Sequence, residues 1–400
     1  TTEEIMAGGG SAVLDDKSAK DEVLTSFTGH EYDVWACELH KKAKLLVTAS
    51  SLNEVRIWDA SDLLAPKQIY EFVGHSQTIT DVKIYGEKRF VSCSEDYNVS
   101  VYNMETHVRE AHHNFEGSVN CLALSSDGSY CFAGGNHYDI KCYCIASDGD
   151  QTDVHSEVAR FVGHAGAVTA LALSPDNTCL ASSGHDFDIK LWPLKLPYHR
   201  KNERPVRVKS HSTVTAHRGR VTSLAFNEDG SLLASGGTDH SIIVWKVKTG
   251  LLGGLGLSQI WSNEDAHRAV VTSVCFGRGP SADLVLSGSW DSNLVVWRAA
   301  SGGPPLATVR GHVHKITDLT VSTSGEYALT CSADATIRMW RLEEPYACQV
   351  SYIVPQSEGA FNSVSIGTTT FASASESGMI RLWPLYGVDK YASHFQEPPN

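Results

Sequence analysis

The stretch GHAGAVTALALSPDNTCLASSGHDFDIKLW (163–192) decides the fold of this chain, because the same pattern returns along nearly its whole length. Such self-similarity at a period of about 40–50 residues is the signature of a repeat architecture. The other clear copies are AHRGRVTSLAFNEDGSLLASGGTDHSIIVW (216–245), AHRAVVTSVCFGRGPSADLVLSGSWDSNLVVW (266–297), GHVHKITDLTVSTSGEYALTCSADATIRMW (311–340), GHEYDVWACELHKKAKLLVTASSLNEVRIW (29–58) and GHSQTITDVKIYGEKRFVSCSEDYNVSVY (74–102). Two degenerate copies, 115–143 and 357–383, bring the total to eight.

Each copy has the pattern of short β-strands. Apolar and polar residues alternate over runs of about six residues, and turn clusters such as SPDN, NEDG and STSG separate the runs. A copy therefore predicts three strands, and the stretch before the next histidine predicts a fourth. A four-stranded sheet of this kind cannot cover both of its faces, so we expect the sheets to stack and close into a ring.

Composition limits the class of protein. The chain of 400 residues is 42% hydrophobic, which is too apolar for a disordered protein, and no apolar run reaches the length of a membrane span. The first twenty residues lack the apolar core of a signal peptide, so we expect a cytoplasmic protein, with nuclear or ciliary placement left open. The net charge of −13 argues against a general nucleic-acid binder. We expect its ten cysteines to be free thiols packed in the core, with no metal site, because no paired metal-ligand spacing is present.

Several positions recur together in these units, and on that basis the chain resembles the WD40-repeat family. The resemblance implies an all-β fold, a β-propeller of four-stranded blades over residues 21–385. Eight units predict eight blades, with the family's commoner seven as the alternative. The segment EVLTSF (22–27) is expected to close the ring by adding the outer strand of the last blade. Residues 1–20 are interpreted as a flexible leader and residues 386–400 as a tail.

The resemblance also assigns a buried polar set, here called a tetrad, to each well-formed blade: a histidine, a serine or threonine, an aspartate and a tryptophan joined by hydrogen bonds. Four units carry all four residues: His164, Ser182, Asp186 and Trp192; His217, Ser235, Asp239 and Trp245; His267, Ser287, Asp291 and Trp297; His312, Thr330, Asp334 and Trp340. The second unit ends in Tyr102 instead of tryptophan, and the first has Leu52 in place of the aspartate. The third and eighth units lack both histidine and aspartate, so we expect the first, third and eighth blades to be the least stable.

These serine, histidine and aspartate residues are interpreted as structural, because a catalytic site would occur once and this set recurs blade after blade. Motifs for phosphate loops, metalloproteases and hydrolase elbows are absent from the sequence. We therefore expect no catalysis, no cofactor and no small-molecule substrate.

Family geometry places two classes of residue around the opening of the face that carries the tetrad histidines, here called the top face. Most are small and polar, but two tryptophans stand out as candidate anchors for a partner, with four neighbouring polar or charged residues: Trp35, Trp290, Asp33, His185, Arg220 and Lys315. The alternative is that each indole folds back to plug the channel.

Two insertions after the third strand of consecutive units are expected to meet on the opposite face, the underside. Residues 195–220 carry eight Lys/Arg against one acid, and residues 249–261 are Gly-rich and apolar. Together they predict a docking site for an acidic or hydrophobic segment, with a solvated loop as the alternative. The residues assigned to this site are Arg200, Lys201, Arg204, Arg207, Lys209, Leu251, Leu252 and Trp261.

These features favour a non-catalytic scaffold or adaptor that holds other proteins in a complex. One alternative is a subunit of an RNA-processing or nucleolar assembly, which the basic insertion permits. A second is a ubiquitin-ligase substrate receptor, which is disfavoured because no unit ends in the WDxxR/K form used for docking to ligase adaptors.

Overall fold

The computed structural model describes residues 25–40, 45–145, 155–198, 204–249, 254–355 and 359–385. Within them, 33 strands form eight sheets, numbered here as blades 1–8 in chain order. Blade 1 contains β2 (Val34–Leu39), β3 (Leu45–Ser50), β4 (Glu54–Asp59) and β5 (Lys67–Val73); blade 2 contains β6 (Ile79–Tyr85), β7 (Arg89–Ser94), β8 (Asn98–Asn103) and β9 (Val108–Asn114); blade 3 contains β10 (Val119–Leu124), β11 (Tyr130–Gly135), β12 (Ile140–Cys144) and β13 (Ser156–Val162).

Blades 4–6 continue the ring. Blade 4 contains β14 (Val168–Leu173), β15 (Cys179–Gly184), β16 (Asp188–Pro193) and β18 (Ser212–Thr215); blade 5 contains β19 (Val221–Phe226), β20 (Leu232–Gly237), β21 (Ile242–Thr249) and β22 (Leu255–Asn263); blade 6 contains β23 (Val271–Phe276), β24 (Leu284–Ser289), β25 (Asn293–Arg298) and β26 (Ala307–Arg310). A short 3-10 helix, Gly279–Ser281, lies between β23 and β24.

Blade 7 is followed by the closing blade. Blade 7 contains β27 (Ile316–Val321), β28 (Tyr327–Ser332), β29 (Thr336–Arg341) and β30 (Cys348–Ile353); blade 8 contains β31 (Phe361–Ile366), β32 (Thr370–Ser375), β33 (Met379–Pro384) and β1 (Thr25–Thr28). β1 pairs antiparallel with β33, with Phe27 opposite Ile380. Both the prediction of eight blades and the closure by an N-terminal strand are confirmed.

The core lies between blades. Eight apolar clusters are found in the described residues, and each joins two neighbouring blades, including blade 8 to blade 1. The middle strands are buried on both faces, as in β15 and β24, whereas an outer strand such as β26 alternates between half-buried and exposed residues. A single blade therefore has little core of its own, and the closed ring supplies it.

The two insertions differ from the prediction. Residues 206–209 form β17 (Val206–Lys209), a fifth strand that pairs in parallel with β13 along the outer edge of blade 3. Val206 and Val208 pack on the cluster between blades 3 and 4, while Arg207 and Lys209 are exposed. The alternation of VRVK over these residues is the strand signal that the interpretation as one underside loop missed.

Residues 249–261 mostly belong to a long hairpin. β21 extends to Thr249, opposite Leu255 of β22. Leu255 and Leu257 pack with Val214 on the cluster between blades 4 and 5. The stretch is apolar because it covers the side of blade 4.

Among the described residues, no helix has the length and hydrophobicity needed to cross a bilayer.

Candidate partner-binding faces

In the four complete tetrads the structure brings the predicted side chains together. In blade 4, His164 Nδ1 lies 2.7 Å from Asp186 and His164 Nε2 lies 2.6 Å from the Ser182 hydroxyl. The indole N–H of Trp192 donates to the same hydroxyl at 2.7 Å. Blades 5, 6 and 7 repeat the chain of contacts. When Nδ1 donates to the carboxylate, the hydroxyl donates to Nε2 and accepts from the indole. Every buried polar atom of the tetrad then has a hydrogen-bond partner.

The aspartates also hold the loop that leads into each blade. The backbone N–H of the residue after the histidine donates to the carboxylate in blades 4, 5, 6 and 7. Burial alone would raise the pKa of Asp239, but the hydrogen bonds and charge of His217, with the hydroxyl of Ser241, hold it well below its usual range. In blade 7, burial lowers the pKa of His312 in spite of Asp334 beside it. In blade 7, burial therefore favours the neutral imidazole of His312 beside the carboxylate of Asp334.

The incomplete blades replace missing members in different ways. In blade 2, His75 contacts Asp96 at 2.9 Å and Ser92 at 2.7 Å, and Tyr102 stacks on Phe90. In blade 1, His30 contacts Thr48 at 2.8 Å. Its Nδ1 lies 3.5 Å from Glu54, too far for the bond that an aspartate makes elsewhere.

Blade 3 has an ionic network where the tetrad would be. His137, at the aspartate position, lies 3.0 Å from Glu116, and the buried amine of Lys141 lies 3.6 Å from the same carboxylate. Blade 8 keeps only the bond from Trp383 to Ser373, at 2.8 Å.

The small polar residues predicted to line a solvated opening instead join the blades to one another. Each donates from its hydroxyl or amide to a backbone carbonyl at the start of the next blade's inner strand, as Thr169 does to Val221 at 2.6 Å and Asn362 to Val34 at 3.1 Å. The other members are Thr80, Asn120, Thr222, Thr272 and Thr317. Trp35 occupies the eighth position and makes no such bond within the described residues. Seven of the eight blade junctions therefore carry this tie.

The six predicted top-face residues lie in three places. Asp33 and Trp35 are in blade 1, and the indole of Trp35 is 47% exposed. Trp290 of blade 6 is 52% exposed, and the amine of Lys315 from blade 7 lies 5.6 Å from the centre of its ring. The exposure of both indoles argues against the alternative that they plug the channel.

His185 of blade 4 and Arg220 of blade 5 form the third place. Both side chains are exposed. Burial, and then the positive charge of Arg220, lowers the pKa of His185.

Charged residues on the inner strands were not predicted. The amine of Lys83 lies 3.2 Å from the carboxylate of Asp81 in blade 2. The negative charge of Asp81, and to a smaller extent those of Glu38 and Asp318, raises the pKa of Lys83. Asp318 belongs to blade 7, separated from blade 2 by blades 1 and 8, so Lys83 and Asp318 must both face the central opening to interact. Charges within the apolar runs VWACEL, ITDVKIY and ITDLTV were the available signal.

These inner carboxylates also serve the fold. Asp81 accepts the backbone N–H of Leu122 at 3.1 Å, and Asp318 accepts that of Val364 at 3.1 Å. Each bond joins one blade to the next. Across the described ranges, no cluster of histidine, cysteine or carboxylate side chains is arranged to hold a metal ion.

The predicted underside site is only partly present. Arg204, Arg207 and Lys209 are exposed, with Arg207 and Lys209 on the outer wall of blade 3. Arg200, Lys201, Leu251 and Leu252 lie outside the described residues. The prediction that Trp261 offers its ring to a partner is wrong: the residue is buried, its indole N–H donates to the carbonyl of Ala299 at 2.9 Å, and its ring packs on Trp297 at 5.8 Å.

Fold and buried polar sets together define a β-propeller built from repeated four-stranded units. The sequence profile described as "WD domain, G-beta repeat" (WD40) matches seven segments, more than half of the chain: residues 21–59, 66–103, 105–148, 155–193, 208–246, 259–298 and 303–341. The chain belongs to the WD40 family. Blade 8 lies beyond these matches apart from β1, and the structure shows it as a full blade.

The relatives are distant or similar over short segments. The small ribosomal subunit protein RACK1 of Candida albicans is 39% identical over 84 residues, which is 20% of this chain and 26% of RACK1. Among solved structures, Sqt1 of Chaetomium thermophilum bound to the N-terminus of the ribosomal protein L10 has a TM-score of 0.75 at 18% identity, covering 92% of this chain and all of that one. The computationally designed Ika8 protein has a TM-score of 0.74 at 21% identity, covering 91% of this chain and all of that one. At these identities the structural likeness shows the fold alone.

Proposed function

We propose that this protein is a non-catalytic scaffold that binds other proteins through its top face, with Trp35 and Trp290 as anchors. The observation that carries the proposal is the exposure of these two indoles on a face whose other rim positions are mostly small polar residues tied to neighbouring blades. A large ring exposed to water gives the isolated protein little stability, whereas tryptophan is among the strongest contributors at protein interfaces.

The surroundings of the anchors support protein recognition. Lys315 beside the ring of Trp290, and Asp33 two residues before Trp35 in the sequence, offer charges of opposite sign to orient a bound segment. The solved structure of Sqt1 holds the N-terminus of another protein, and RACK1 is named as part of a ribosomal subunit. Both of these proteins are therefore found together with other proteins. We propose the same for this chain, and we propose that it acts in the cytoplasm.

The test is affinity purification of the chain from native lysate, with quantitative mass spectrometry. The variant Trp35→Ala/Trp290→Ala is compared with wild type and with Leu64→Ala, which removes an exposed apolar side chain from the loop between β4 and β5 of blade 1, at the opposite end of the strands from the tetrad histidines. A scaffold that uses the top face loses defined partners in the tryptophan variant and keeps them in the control. Equal recovery of all partners in the three samples would refute the top-face assignment.

A second surface, on the outer wall, supports binding of an acidic segment. Arg204, Arg207 and Lys209 are exposed and make no ion pair within the described part of the chain. Replacing all three with serine should weaken one partner selectively and leave partners of the top face unchanged. If the same variant instead abolishes a salt-sensitive shift of RNA, the alternative of an RNA-processing subunit gains support.

A further inference from the structure

One residue per blade adopts a left-handed backbone conformation in the turn between the second and third strands. It directly follows the tetrad aspartate position. Its φ lies between 61° and 76° in every blade: Asn53, Tyr97, Tyr138, Phe187, His240, Ser292, Ala335 and Gly378. Glycine and asparagine suit this conformation, whereas a bulky residue is strained there by about 1 kcal/mol.

Three consecutive blades place an aromatic residue at this strained position. The side chains of Tyr97, Tyr138 and Phe187 in blades 2, 3 and 4 are 48%, 47% and 39% exposed. Within the described residues none of the three makes a ring contact or a side-chain hydrogen bond. The backbone is thus strained at three successive turns, although the aromatic side chains there are largely exposed and add little buried area. This combination is typical of residues that bind a partner.

An exposed acidic side chain lies beside the first ring of this track. Glu95 is exposed two residues before Tyr97, whereas the carboxylate of Glu116, in the loop that enters blade 3, already lies within 3.0–3.8 Å of His137, Lys141 and Arg160. The backbone of that loop is joined to the first turn, since the N–H of Phe115 donates to the carbonyl of Tyr97 at 2.6 Å. Aromatic faces next to carboxylates favour a partner that carries lysine or arginine.

The spacing of the track fits an extended partner. Blades 2, 3 and 4 pack on one another through shared apolar clusters, and sheets that pack face to face lie roughly 10 Å apart. A polyproline II helix repeats every three residues, at about 9 Å. Successive turns of such a helix can therefore present a proline to each ring in order.

We infer that Tyr97, Tyr138 and Phe187 form a binding track for a basic, proline-rich segment of a partner protein in the polyproline II conformation. The prolines lie on the three rings, and a cation of the segment lies beside Glu95. These residues differ from Trp35 and Trp290, so the track can be present whether or not the proposed anchors bind a partner.

The experiment uses the full chain and a fluorescein-labelled peptide of four Pro-Pro-Arg repeats, with binding followed by fluorescence anisotropy. The track variant is Tyr97→Asn/Tyr138→Asn/Phe187→Asn, because asparagine suits the left-handed position and preserves folding. The control, His240→Asn/Ser292→Asn, makes the same change at the same turn in blades 5 and 6. Thermal unfolding of each variant verifies that it is folded.

We expect the track variant to bind roughly ten- to hundredfold more weakly, and the control to bind as wild type does. Peptides of four Pro-Pro-Glu or four Gly-Ser-Arg repeats should bind more weakly than Pro-Pro-Arg, since they lack the charge or the preformed helix. The proposal is overturned if wild type does not bind the Pro-Pro-Arg peptide, if the two variants lose affinity equally, or if either comparison peptide binds as tightly. Trp35→Ala/Trp290→Ala should leave this peptide's affinity unchanged, which separates the track from the proposed anchors.

Discussion

At the scale of single residues, each tetrad aspartate holds several donors at once. Asp239 accepts from His217, from Ser241 and from the backbone N–H of Arg218, and so fixes the loop between blades 4 and 5. Removing the carboxylate leaves buried donors without an acceptor, and each such group costs about 1–3 kcal/mol.

Asp239→Ala should therefore lower the free energy of unfolding by about 2–3 kcal/mol, measured by thermal or urea denaturation. The matched control is His137→Ala, at the same position of blade 3, which removes a contact to a half-exposed glutamate and should cost less than about 1 kcal/mol. Equal melting temperatures for Asp239→Ala and wild type would show that the carboxylate of Asp239 does not stabilise the fold.

Buried histidines make the stability depend on pH. Burial, with the charges of His155, His112 and Lys141, lowers the pKa of His113 to about 4. In the unfolded chain a histidine titrates near 6.5, so between these values the unfolded state binds more protons. The stability that neutral His113 contributes is fully present above about pH 6.5 and is lost as the pH falls toward 4.

His113→Phe should reduce this loss. The His113 ring stacks on Tyr143 at 4.4 Å, and its Nε2 is buried without a hydrogen bond, so phenylalanine keeps the stacking and abandons no partner at that nitrogen. The fall in melting temperature between pH 7 and pH 5 should be smaller than in wild type. The interpretation fails if the two pH profiles run parallel.

At the scale of elements, β1 closes the ring. This four-residue strand supplies the outer edge of blade 8, and the ring of Phe27 lies 4.6 Å from Trp58 of blade 1. It thus connects the last blade to the first.

Phe27→Asp should destabilise the protein by about 2–4 kcal/mol and speed proteolysis of blade 8, because it removes apolar packing and places a charge against it. Ser26→Asp alters an exposed residue of the same strand and should have little effect. Similar proteolysis of both variants would indicate that pairing of β1 matters and packing of Phe27 does not.

At the scale of the whole molecule, seven side-chain bonds of the kind that Thr169 makes connect the inner strands around the ring, and in the described residues the junction of blades 1 and 2 lacks one. In blade 1, the inner-strand position that carries the donor in the other blades is occupied by Trp35, whose indole is exposed. An interaction that would stabilise the ring is therefore absent there. Function and stability compete at this junction.

Thr222→Val should cost about 1 kcal/mol, because the shape is kept but the carbonyl of Val271 loses its donor. Trp35→Thr supplies the missing donor and should not lower the melting temperature, although it removes a large ring. Urea denaturation measures both. If Thr222→Val is as stable as wild type and Trp35→Thr is less stable, then the bonds between blades do not stabilise the ring and the indole of Trp35 does.

The closure by an N-terminal strand and the membership of the four complete tetrads were expectations drawn from the resemblance to the WD40 family, whereas the repeat pattern by itself indicated eight units and the short strands within each. Those features follow from patterns within about 50 residues, where alternation and turn residues act directly on the local chain. Even the degenerate eighth unit was recognisable, because its ending IRLW remains.

Only the tertiary structure decided what happens between blades. The tie from Thr169 to Val221 joins residues 52 positions apart, Trp261 is covered by blade 6, and β17 leaves its own blade to extend the preceding one. It also decided that the aromatic turns of blades 2, 3 and 4 stand exposed in a row. Such contacts depend on which surfaces the closed ring brings face to face, and a residue's neighbours along the chain do not specify them.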